Sequence, residues 1–147
     1  MRIRVEPLRE VAMLRGLQEQ AAAAAAGEAQ RETARARRAF DRSGAHLGGL
    51  RDAWEAALGD AGDFEGGMRW SAAWHRQAAD HESDRAGLAA ASETEAARRA
   101  DWAHAIALQD VADTAHKAAA GARAAARDEA AMHDAAERHV TRMRMRP

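Results

Sequence analysis

Gly59-Asp-Ala-Gly-Asp-Phe-Glu-Gly-Gly67 interrupts a chain that otherwise reads as almost unbroken helix. Four glycines in nine positions cost too much backbone entropy for a helix interior, so the segment reads as a turn. Two long arms must then run back along each other. Trp54, Trp70 and Trp74 crowd around the interruption and mark the tip of the fold as a place to look for function.

The sequence predicts an all-α fold: a long antiparallel two-helix coiled-coil hairpin with a longer second helix. Of the 147 residues, 47% are apolar, but well over half of these are alanine, the best helix former. Leu, Ile, Val and Phe make up only about a tenth of the chain, so β-branched and aromatic residues are too few for strands. A compact enzyme fold fits this composition poorly. The absence of cysteine excludes disulfides, thiolate catalysis and Cys-based zinc sites. Met1-Arg-Ile-Arg-Val-Glu-Pro7 lacks an uncharged core of signal-peptide length, and the longest apolar run is the six alanines Ala21 to Ala26. A cytoplasmic protein without membrane insertion is expected.

The expected organisation is a single hairpin over 1–147, with arm one at about 7–58, a turn at 59–67 and arm two at about 68–145. Pro7 suits a first helical turn, where its missing N–H costs nothing. Phe40, Leu47, Leu50, Trp54, Ala57, Ala61, Phe64 and Met68 keep one register of three- and four-residue steps. Val5, Leu8, Ala12, Ala22, Ala26, Ala29 and Ala36 continue it upstream. Gly44, Gly48 and Gly49 weaken this helix without breaking its phase. In arm two, Trp74, Leu88 and Trp102 are two heptads apart, with His81 and Glu95 at intermediate seam positions. After Trp102 the apolar line moves to Leu108, Val111, Ala115, Ala118, Ala122, Ala125, Met132 and Ala136, which predicts a local change of winding. Gly87 and Ser92-Glu-Thr-Glu95 offer a rival break that would make three helices.

Unequal arms, roughly 75 Å against 115 Å at helical rise, leave the last 25 or so residues without an intramolecular partner. They still carry Ala122, Ala125, Met132, Ala136, Val140 and Met143 on one stripe, edged by Arg138, Arg142, Arg144 and Arg146. An amphipathic helix with nothing to pack against implies another chain. The arginines also complement the negative end of the helix dipole. Nucleic acid is disfavoured, because the chain carries a formal net charge of -1 and its tryptophans lie far from those arginines. Asp101/His104, Asp113/His116 and Glu129/His133/Glu137 have helical spacing for ligation, but read as surface pairs; no metal, cofactor or catalytic residue is expected. Lone Lys117 reads as a solvated charge, and no phosphate-binding or nucleophile motif is present.

An alanine-rich hairpin whose second arm opens with Arg69-Trp70, carries Trp102 at heptad spacing and ends in Met132-His-Asp-Ala-Ala-Glu-Arg-His-Val-Thr-Arg-Met-Arg-Met-Arg-Pro147 resembles the FliJ/YscO family of bacterial type III export machinery. The resemblance implies a non-enzymatic central stalk similar to those of rotary ATPases. Its implied partners are a hexameric export ATPase, the cytoplasmic domain of the export-gate membrane protein, and secretion chaperones. By position, Leu47, Leu50 and Trp54, with Trp70 and Trp74 beside them, correspond to the gate-binding tip. Arg138, Arg142 and Arg144 correspond to the ATPase-facing candidates, and Met132, Val140 and Met143 on the stripe beside them complete the expected ATPase- or partner-binding arm. Arg76 and Asp80 depart from the family pattern, which has large residues early in the second arm. Two other readings of the same residues are a self-assembling homo-oligomeric scaffold and a phasin-like coat.

Overall fold

Long alanine-rich stretches favour helix at almost every position, and the computed structural model describes residues 5–59 and 64–144 as little else. Helix α1 spans Glu6–Gly59, 54 residues, and α2 spans Phe64–Arg144, 81 residues. Helix is the only regular structure among the described residues, and the protein is an all-α helical hairpin with the longer helix second. Pro7 sits in the first turn of α1, and Gly44, Gly48 and Gly49 lie inside the helix without interrupting it. Helix α2 also passes unbroken through Gly87 and Ser92–Glu95, so the three-helix alternative does not hold. It starts at Phe64, with Gly66 and Gly67 in its opening turns. Of the expected turn, Asp60–Asp63 lie outside the described residues, as does the side chain of Phe64.

Two compact units divide the chain: Ala22–Trp102, and Met1–Ala21 with Ala103–Pro147. In the first, α1 and α2 run antiparallel. Thr33 donates through Oγ1 to the Ala91 carbonyl at 3.1 Å, and ten residues further along α1, Ser43 Oγ meets His81 Nδ1 at 2.9 Å. Close approach is possible because the packing face is built from small residues. Ala26, Ala29 and Ser43 are its buried positions, and no side chain of the described residues is wholly enclosed. Phe40 stacks on His81 with ring centroids 4.5 Å apart, while Gln77 reaches the Ser43 carbonyl at 3.5 Å. The polar seam positions expected at His81 and Glu95 are thereby occupied: His81 by Ser43 and Phe40, Glu95 by Arg99 at 2.6 Å along its own helix.

In the second unit the helices again run antiparallel, with Glu6 Oε1 accepting from Arg123 Nη1 at 3.1 Å. A Cβ added at Gly16 would lie 3.8 Å from Gln109 Nε2, so that glycine faces α2 closely. Here the structure corrects the expected shift of the apolar line. The less exposed positions of α2 are Ala105, Leu108, Gln109, Ala112, Asp113, His116, Ala119 and Arg123, and Ala112 is the buried one. Of the predicted line only Leu108 is half-buried; Ala115, Ala118, Ala122 and Ala125 are exposed and Val111 is 68% exposed. The reason is steric. Opposite this stretch α1 offers Ala12, Arg15, Gly16 and Glu19, and alanine at 112 lets the backbones approach where valine would hold them apart.

Candidate functional surfaces

Three of the five tip residues come together. Trp54, Trp70 and Trp74, joined by Arg51, Glu55, Ser71 and His75, line a cleft of about 430 Å³ between the end of α1 and the start of α2. The helical spacing of Arg51, Trp54 and Glu55 puts them on adjoining faces of α1, as Trp70 and Trp74 lie one turn apart on one face of α2. Trp54 is 41% exposed, and Trp70 and Trp74 are half-buried. Leu47 and Leu50 are half-buried on the packing face of α1 and do not line the cleft. Such a cleft can receive an apolar side chain against indole rings, with Arg51 and Glu55 at its margin to pair with polar neighbours of that group. Arg51 itself reaches Asp52 at 3.3 Å and Glu55 at 4.0 Å, both in exposed positions where such pairs contribute little.

The C-terminal candidates lie on a surface of another kind. Every residue of α2 from Ala124 to Arg144 is exposed, beyond the hydrogen bond of Arg123 to Glu6 at the start of α1. Met132 is 70% exposed, Val140 50% and Met143 63%. At about 100° per residue these three share one face, with Arg142 on its flank and Arg138 and Arg144 about 120° from Met132 on either side. Arg138 donates to Asp134 at 2.9 Å, one turn away. His133 pairs with Glu137 at 3.7 Å, and among the described residues no three acidic or histidine side chains converge as a metal site would need.

The surroundings of Glu6 shift its titration. A hydrogen bond from its own backbone, then the hydrogen bond and charge of Arg123, hold its carboxyl below the ordinary glutamate range.

One exposed apolar group is absent from the sequence reading. Met13, Leu14 and Leu17 on α1 are 59%, 59% and 62% exposed. Their signal was available: they fall off the register set by Leu8 and Ala12, and their four-residue spread places them on the far face of the helix. The Ser43–His81 contact had no such signal, because it depends on the relative register of two helices. Among the described residues, no helix is long and apolar enough to cross a membrane. Comparison with known protein families, with curated proteins and with solved structures gives no match.

Proposed function

We propose that the chain is a non-enzymatic stalk or adaptor of a bacterial type III secretion apparatus, flagellar or Hrp-type, linking the export ATPase to the export gate on the cytoplasmic side of the membrane. The observation that carries this reading is the exposed final stretch of α2, from Ala124 to Arg144, with an apolar stripe and an arginine-rich end. A helix that outruns its mate and keeps an amphipathic pattern is suited to entering another molecule. The Trp54–Trp70–Trp74 cleft supplies a second, chemically different surface for the gate. The resemblance of Arg69-Trp70 and the Met-rich basic terminus to the FliJ/YscO family supports the assignment of partners.

The test is stimulation of ATP hydrolysis by a hexameric export ATPase. The intact chain is expected to bind at one per hexamer and raise turnover, and the chain ending at Ala120 is expected to do neither. Reversal of Arg142 and Arg144 together should abolish most of the stimulation. A full effect from the chain lacking residues 121–147 would rule the reading out.

A further inference from the structure

The stretch from Ala125 to Met143 carries its own complement. Its first half, 125–134, carries Arg127 against Asp128, Glu129 and Asp134, whereas its second half, 135–143, carries Arg138 and Arg142 against Glu137, so the acidic excess lies at one end and the basic excess at the other. A heptad count along the exposed stripe puts Glu129, Ala136 and Met143 at one kind of core position and Ala125, Met132 and His139 at the other. Asp128, Ala135 and Arg142 then fall together on one flank.

Laying a second copy antiparallel on this stripe pairs unlike with unlike at every layer. Met132 meets Ala136, Met143 meets Ala125, Glu129 meets His139, and on the flank Asp128 meets Arg142. The two-fold axis repeats each contact. In the Met132–Ala136 and Met143–Ala125 layers large residues face small ones, as close packing requires, and on the flank the opposite charges of Asp128 and Arg142 face each other. A parallel pair would instead set Glu129 against Glu129 and leave Ala136 against Ala136, a like-charge layer beside a void. In the chain itself Arg138 and Glu137 are taken by Asp134 and His133, whereas neither Asp128 nor Arg142 forms an ion pair among the described residues. They cannot pair with each other within one helix, where 14 residues span about 21 Å.

We propose that residues 125–143 form an antiparallel, two-fold symmetric self-association segment, in which a second copy of this chain covers the exposed stripe and salt-bridges Asp128 to Arg142 across the interface. This goes beyond the stalk reading and occupies the same surface, so a dimerised arm and an arm docked in a ring exclude each other.

Sedimentation velocity of the full chain at low salt tests it. The wild-type protein is expected to pass from monomer to dimer over about 1 to 200 µM, the range suited to a short, alanine-rich interface. Arg142→Glu should weaken the dimer roughly tenfold and Asp128→Arg likewise, while Asp128→Arg with Arg142→Glu restores it. Both sites are exposed, so helical content by circular dichroism should be unchanged in all three variants. A monomer throughout the range, single variants that dimerise like wild type, or a double variant no tighter than the singles would each overturn the proposal. Export-ATPase stimulation is a separate measurement; its absence beside a rescued dimer would remove the stalk reading and leave this one standing.

Discussion

From Trp70 to Leu88, α2 holds Trp70, Trp74 and Leu88 half-buried, whereas from Val111 to Met143 it leaves Val111, Met132, Val140 and Met143 at least 50% exposed. Both stretches are amphipathic, and both have apolar side chains at helical spacing. What separates them is the surface opposite. In the unit that spans Ala22–Trp102, α1 keeps Phe40, Leu47 and Leu50 half-buried on its packing face, and Phe40 stacks on His81 of α2. In the other unit, the less exposed positions are Arg15, Gly16 and Glu19 on α1 and Ala105, Gln109 and Ala112 on α2, and beyond Arg123 every described residue of α2 is exposed. The pairing face is therefore chosen by how closely two backbones can approach. Apolar bulk that does not fit is left for other molecules to cover.

The sharpest way to break this comparison is to add bulk where the faces are closest. Ala26→Leu should destabilise the folded chain by about 1 to 3 kcal/mol in urea unfolding, because alanine there is already buried in the seam and a branched side chain would force the helices apart. An unchanged midpoint would mean that the small residues do not set the spacing. The next effect in size is stabilising. Gly48→Ala and Gly49→Ala place a Cβ where nothing lies within 4 Å, and each should add about 0.5 to 1 kcal/mol through helix propensity, read as a higher Tm. Gly44→Ala should gain less than either, since its Cβ would lie 3.2 Å from His81 Cε1 and must push a ring that Ser43 and Phe40 hold.

A smaller effect sharpens the contrast from the exposed side. Val111→Ser should change stability by no more than about 0.5 kcal/mol despite removing an apolar β-branched residue, whereas at neighbouring Ala112 a leucine should destabilise by about 1 kcal/mol or more. If the two positions responded alike, the seam would not be where α1 meets α2. The smallest expected effect concerns Glu6. Its folded-state carboxyl titrates below the unfolded one, so the Glu6–Arg123 contact contributes fully above the ordinary glutamate range and is lost as pH falls through the lower, folded value. In an NMR titration, Arg123→Ala should move Glu6 upward toward the ordinary value but not all the way, because the hydrogen bond from its own backbone remains. Glu6 is fully exposed, so the effect on overall stability should be slight.

Helix nearly everywhere, two arms, the longer one second, and an exposed amphipathic end were all legible from alanine content, the glycine cluster at Gly59–Gly67 and the distance from each arm's end to that cluster. These depend on local propensity and chain length, which a sequence states directly. The seam of α1 was legible too, because Leu8, Ala26, Phe40 and Leu47 keep one phase. Along α2 beyond Trp102 it was not. Leu108, Val111 and Ala115 form a genuine apolar line, but whether such a line packs inward depends on what the facing helix presents, and a single helix's sequence does not contain that. For the same reason Trp54, Trp70 and Trp74 could be recognised as a cluster, while the cleft they make with Arg51, Glu55 and His75 could not. Nor could the Ser43–His81 contact. Sequence determined which residues could form helices and how far each could reach; tertiary structure decided which face of each helix was used, because backbone proximity is a property of the pair.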